Sequence, residues 1–240
     1  MNFRKFAAIG VSAMALSAFA QSAHANLVVN GSFETANVTT GSADHNQFGG
    51  NVFGWSGGFA GITQIDSPGQ ADAGGYLAVY GPFPATSPDG GNFVQADGDP
   101  SYADTIFQTL TGLTAGASYT VSFLQAAGQQ LNFTGPTTEQ WKVGFDGDYQ
   151  LSSLFSLPQG GVGPWQAQSM TFIAAGTSAV LSFLAVGTPG GAPPISFLDG
   201  VSVEASTAVP EPAALSILGV GIVALGAVGL RRRAGKSTAA

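Results

Sequence analysis

The 240-residue chain contains no cysteine, and that single absence removes disulfides, thiol nucleophiles and thiolate metal sites together. Histidine is nearly as scarce, with two residues in all. His24 falls in the leader segment described below, so the mature chain keeps His45 alone, within the loop-like GSADHNQFGG. A serine hydrolase of the usual kind needs a histidine base oriented by a carboxylate, and a zinc centre needs several nitrogen or sulfur ligands. No G-x-S-x-G elbow accompanies His45, which therefore reads as a solvated loop residue. Redox metals lack soft ligands. Basic side chains are missing as well: residues 26 to 209 hold thirteen Asp and Glu against one base, Lys142. A body so acidic repels phosphate backbones and anionic lipid surfaces, which excludes nucleic acid as a partner, while cations are attracted. Long amphipathic helical periodicity is also absent after residue 26.

Hydrophobic runs stand at both ends. MNFRKFAAIGVSAMALSAFAQSAHA (residues 1–25) places Arg4 and Lys5 before an apolar stretch from Phe6 to Ala20, followed by small residues at Ala23 and Ala25. That order is a secretory signal peptide, to be cut by signal peptidase after Ala25. At the other end, residues 213–230 form an uncharged stretch that spans ~27 Å as a helix, close to a bilayer's hydrocarbon core. Its four glycines, Gly219, Gly221, Gly226 and Gly229, suit a membrane helix better than a core helix in water. Arg231, Arg232, Arg233 and Lys236 follow. Positive residues stay on the cytoplasmic side, so the body faces outward and residues 231–240 form a basic cytoplasmic tail. The linker 205–212, ASTAVPEP, carries two prolines that bar both helix and ladder.

Between these ends, residues 26–204 read as one domain, ample in length for a core. Short runs of β-branched and aromatic residues are separated by Gly, Pro, Asp and Ser clusters. SYTVSFLQ sets Tyr119, Val121 and Phe123 on one face, and EQWKVGFD does the same for Trp141, Val143 and Phe145. QSMTFIA, AVLSFLAV and ISFLDGVSVE continue the series. Many short strands without crossover helices predict an all-β fold, an antiparallel jelly-roll β-sandwich. Trp55 and Trp165, each at the start of a strand, are expected to plug the ends of the sandwich. Trp141 reads either as core or as a flat surface for stacking a sugar ring.

The carboxylates permit two chemistries: paired acids could hydrolyse glycosidic bonds, or acids with backbone carbonyls could ligate calcium. In PISFLDGVSVE, alternation puts Asp199 on the core-facing side with Ile195, Phe197, Val201 and Val203. A bare carboxylate there needs a partner or a metal ion, unless a bulge beside Gly200 turns it outward. DGDP and DGDYQ resemble fragments of calcium loops, but neither continues as a twelve-residue loop with its terminal Glu, and turn formation explains both.

Two resemblances follow from these stretches. VPEP, an apolar span and RRR, together at the C-terminus, resemble the PEP-CTERM sorting signal of Gram-negative bacteria that make exopolysaccharide. The resemblance implies an integral-membrane exosortase that recognises Val209, Pro210, Glu211 and Pro212, with Arg231, Arg232 and Arg233 as the stop. The span then holds the exported chain in the inner membrane until cleavage passes it to the cell surface or beyond. NLVVNGSFE, the Gly54–Trp55 pair and FLDGVSVE resemble galactose-binding-like jelly rolls, among them carbohydrate-binding modules. That likeness implies a structural calcium joining the first and last strands, with Glu34, the carbonyl of Ser32 and Asp199 as ligands and Asp89 as a further contributor. The expectation is a non-enzymatic glycan-binding protein of the envelope, matrix or biofilm, with Trp141, Gln140 and Tyr149 as candidates for a ligand face. A structural matrix protein without a sugar site and a carbohydrate-active hydrolase are the alternatives.

Overall fold

A computed structural model describes residues 25–37, 48–58, 62–75 and 77–206. The leader, His45, the sorting motif Val209 to Pro212, the apolar span and Arg231 to Arg233 lie outside the described residues. Within them the structure is strand and loop with no helix.

Eleven strands run in order through the described chain: β1 (Ser56–Gly57), β2 (Thr63–Asp66), β3 (Phe93–Asp97), β4 (Ile106–Thr111), β5 (Ser118–Gln129) and β6 (Thr137–Phe145), then β7 (Asp148–Leu151), β8 (Phe155–Leu157), β9 (Val162–Ile173), β10 (Ser178–Thr188) and β11 (Pro194–Ala205). They form two antiparallel sheets. One has the order β1-β4-β10-β6-β7 with β8 also paired to β6, and the other the order β2-β3-β11-β5-β9. The chain stays within one sheet only from β2 to β3 and from β6 through β8, and changes sheet at every other step from β1 to β11. Such crossing between layers is how a jelly roll avoids a simple meander.

Alternation explains the long strands. In β6 the exposure pattern changes at every residue, with Trp141, Val143 and Phe145 buried and Gln140 and Lys142 half-buried. β5 begins the same way, Tyr119, Val121 and Phe123 pointing inward. Leu181, Phe183 and Ala185 of β10 and Met170 and Phe172 of β9 meet them in one core between the sheets.

A second apolar cluster lies on the opposite side of the five-stranded sheet, where Phe93, Ala126, Ile195 and Phe197 are covered by Ala71, Val79 and Phe83 from the connection between β2 and β3. Phe83 lies 4.2 Å from Phe197, ring to ring, and Trp165 stands edge-on to Phe93 at 5.7 Å. This corrects the expected place of Trp165, which seals the outer cluster and does not plug the space between the sheets. Trp55 is buried in the inter-sheet core, packed on Phe33 at 5.2 Å, with its indole N–H donated to the carbonyl of Asn30 at 3.0 Å.

The opening segment pairs with the closing strand. The Leu27 amide donates to the Val203 carbonyl at 2.9 Å and the Val201 amide to the Gly31 carbonyl at 3.0 Å. Approach at Gly31 is so close that a Cβ would collide with the Val201 carbonyl oxygen. That contact accounts for glycine in VNGSFE.

Candidate functional site

β11 changes face at one point. It keeps register with β3 up to Leu198 and with β5 up to Asp199, and the β5 register then shifts between Asp199 and Ser202, with Gly200 at a φ of 55°. A bulge of this kind admits a residue with positive φ and re-aims its neighbours. Ile195 and Phe197 therefore belong to the outer cluster while Val201 and Val203 belong to the inter-sheet core. The expectation that all four share one face with Asp199 is corrected by this bulge. Asp199 is nonetheless 0% exposed.

The Asp199 carboxylate accepts the Ser87 hydroxyl on one oxygen and, at 2.7 Å, the Gly200 amide on the other. Burial pushes its pKa up to about 7; these two hydrogen bonds pull it down, and the charges of Asp89 and Glu34 raise it further. The structure thus brings together three of the sequence-predicted ligands. Asp89 approaches Gly200, its Cγ 3.5 Å from where a Cβ on that glycine would stand. Glu34 lies across Gly91 and accepts the Asn92 amide at 2.8 Å. Ser32 is half-buried in the same opening turn. Glu34 and Asp89 are exposed, and no Lys or Arg neutralises the three acids, since Lys142 is the single base of the described chain. Among the described residues no three acids or histidines are drawn into a ready-made ligand shell. The donor set, three carboxylates and backbone oxygens, is nevertheless the chemistry of a hard cation such as calcium. Ser87, the partner that holds Asp199, went unnoticed in the sequence because nothing in SPDGGN separates it from a turn residue.

The candidates for a ligand face divide. Trp141 is 1% exposed and donates its indole N–H to the Phe197 carbonyl of the other sheet at 2.9 Å, so it is a core residue and cannot stack on a sugar. Gln140 and Tyr149 do lie on the outer surface of the six-stranded sheet, Gln140 half-buried and Tyr149 62% exposed. Lys142, also on that face, sets its ammonium 3.9 Å from the centre of the Tyr149 ring, a cation–π contact that orients the ring.

One row crosses this sheet through the pairs Phe107↔Ser182, Ser182↔Gly144 and Gly144↔Tyr149. Phe107 is 37% exposed. At a strand spacing of about 4.8 Å, three steps put the two aromatic residues roughly 14 Å apart, with the short Ser182 and Gly144 as a floor between them. A Cβ at Gly144 would collide with the Ser182 hydroxyl, so the floor has no room for a larger side chain there. Leu184 and Lys142 occupy the next row on one side, and Val180 and Thr109 the other. Neither Phe107 nor Lys142 is among the ligand-face candidates read from the sequence, although alternation in IFQTLT puts Phe107, Thr109 and Thr111 together on one face.

No protein-family model matches the sequence, and neither does any curated protein. Among solved structures, the chain is similar to a family 61 carbohydrate-binding module in complex with β-1,4-galactotriose, at 16% identity and a TM-score of 0.44 over 76% of this chain and 99% of that one. It is similar to the CBM22-1 xylan-binding domain of Xyn10C from Paenibacillus barcinonensis, at 16% identity and a TM-score of 0.40, covering 79% and 100%. The enzymatically active domain of bacteriophage CBA120 tailspike protein 4 is a third, at 11% identity and a TM-score of 0.40, where the match takes in 75% of this chain and 21% of that one.

Proposed function

We propose that this chain is an exported, non-catalytic glycan-binding β-sandwich of the bacterial surface or extracellular matrix, sorted by an exosortase and stiffened by calcium. The observation that carries the reading is the uncovered outer face of the six-stranded sheet, where Phe107 and Tyr149 flank the short Ser182 and Gly144. Aromatic faces cover the apolar face of a pyranose, while Gln140, Thr109 and Ser182 offer hydrogen bonds to its hydroxyls. The acidic body disfavours an acidic polysaccharide and favours a neutral one.

A polysaccharide pull-down and a glycan array with the mature protein test this reading. Tyr149→Ala and Phe107→Ala are each expected to weaken binding about tenfold, corresponding to about 1.4 kcal/mol, with little change in melting temperature. Uniform absence of binding favours a purely structural matrix protein, whose acidic surface serves assembly or hydration.

Export and sorting rest on the two ends of the sequence. The span 213–230 acts as a temporary anchor in the inner membrane, and Pro210, Glu211 and Pro212 present an extended neck to the exosortase. Glu211→Ala is expected to leave the protein accumulated in the inner membrane, read by fractionation and immunoblotting. Normal release of that variant counts against exosortase recognition.

Calcium is the third element. Glu34, Asp89 and Asp199, with the Ser32 carbonyl, would hold it between the opening segment and β11. There it would supply the positive charge that these acids lack. The proposal is supported by the convergence of three carboxylates, one of them buried, with no basic side chain among the described residues to meet them.

A further inference from the structure

We infer that the inter-sheet space between β6 and β11 is a binding site for a small monovalent cation of sodium's kind, held by the Glu139 carboxylate, the Thr137 and Ser196 hydroxyls and the side-chain carbonyl of Gln125. It lies apart from the calcium ligands and from the glycan face, and it rests on neither.

Glu139 is 0% exposed, and both of its carboxylate oxygens are buried without a hydrogen-bond partner. So are Thr137 Oγ1, Ser196 Oγ and Gln125 Oε1. Buried polar atoms in folded proteins are nearly always satisfied, and a group of orphans marks a missing water or ion.

The register brings these residues to one part of the inter-sheet space. Trp141 of β6 reaches the carbonyl of Phe197 on β11. On β10, a Cβ at Gly187, the strand partner of Glu139, would collide with the Pro194 ring of β11 and stand 2.7 Å from the Thr138 carbonyl oxygen. Thr138 thus lies near Pro194 and Trp141 near Phe197, which sets Glu139 opposite Ile195 and Ser196. Ile195 turns to the outer cluster, so the side chain facing Glu139 is Ser196. Ser196 is paired with Ala127 on β5, and Ala127 packs against Phe155, the β8 partner of Glu139. Gln125, two residues along β5, is tied by its amide to the Ser153 carbonyl at 2.9 Å, at the start of the turn into β8.

Charge selects the occupant. Burial raises the Glu139 pKa to about 7, the nearby Thr137 hydroxyl, close enough to interact although it makes no well-formed hydrogen bond, lowers it, and no neighbouring charge acts on it. Its strand partners are Gly187 on β10 and Phe155 on β8, Thr137 and Trp141 share its face on β6, and none of these titrates. Lys142 faces the other way, over Tyr149. One carboxylate with neutral oxygens balances a single positive charge, whereas a divalent ion would leave a net charge in a dry core.

Melting temperatures of the mature protein, measured in sodium chloride and in choline chloride of equal ionic strength with a divalent chelator present, test the site. At about pH 8 sodium is expected to raise the melting temperature by several degrees, and at about pH 5 the difference is expected to vanish because a proton takes the ion's place. Glu139→Gln, equal in shape and neutral, is expected to lose the sodium response while keeping any response to calcium. If Glu139→Gln does not fold, Ser196→Ala serves, with the sodium response reduced. Equal melting temperatures in the two salts at about pH 8, or a sodium response that persists in Glu139→Gln, overturns the inference and assigns the space to a protonated Glu139 with water.

Discussion

Trp141→Ala is expected to destabilise the protein by about 3–5 kcal/mol, the range for deleting a buried large aromatic residue. The indole is packed on Phe183 at 6.1 Å, and its N–H is donated across the sandwich to the Phe197 carbonyl, so the substitution leaves both a cavity and an unpaired buried acceptor. For a domain of this size, each kcal/mol shifts the melting temperature by roughly 2–4 °C. A fall of about 10 °C or more in calorimetry is the expected result. Glycan binding below the new transition is expected to survive. A variant that melts like the parent but fails to bind would put Trp141 back on a ligand face and sink the placement of the site on the opposite side of β6.

The second large effect is a loss of stability as pH rises from mild acid to neutrality. Asp66, Glu139 and Asp199 are buried acids whose pKa values are pushed up to about 7, in each case chiefly by burial, and that of Asp97 rises to about 6 for the same reason. Ordinary values for these groups are 3.8 for Asp and 4.5 for Glu. Between the two ranges the folded protein holds more protons than the unfolded chain, so stability falls as pH rises. The stabilisation is complete below about pH 4 and lost as pH passes about 7, with each three-unit displacement worth on the order of 4 kcal/mol. Asp99 runs the other way: backbone N–H groups of Ser101 and Gly191 lower its pKa, so its contribution is lost only as pH falls below the ordinary Asp value.

The expected outcome is a melting temperature that drops clearly between about pH 5 and about pH 8. Calcium added at the higher pH is expected to recover the part due to Asp199, because the ion favours the charged carboxylate. Asp199→Asn is expected to abolish the calcium response and to flatten part of the pH dependence. Indifference of the parent protein to both calcium and chelator at about pH 8 would end the calcium reading while leaving the pH dependence intact.

These effects bear on what a sequence of this kind exposes. Alternation was readable wherever a strand has one wet face: β5, β6 and β10 bury the residues that their periodicity picks out. It failed where both faces are covered. β3 is buried at every position, and the first six residues of β11 likewise, because the connection from β2 lies over their outer side. No local period announces that cover, since it depends on Phe83 meeting Phe197 from far along the chain. The bulge at Gly200 hid in the same way: a glycine inside an apparent strand permits a face change without requiring one. The proposed calcium ligands come from resemblance, and alternation reads Asp199 as buried, which it is, but on the wrong face. The trough between Phe107 and Tyr149 depends on the pairing of four strands, which composition and spacing do not encode.

The central position of β11 carries a mechanical consequence. Ile195 and Phe197 serve the outer apolar layer, Leu198, Val201 and Val203 the inner one, and the bulge at Gly200 resets the alternation between them. The two layers therefore share one backbone and are expected to melt as a single cooperative unit. Damage under the cover loosens the middle of the sandwich, and the domain should lack any half-unfolded intermediate in which one layer outlives the other.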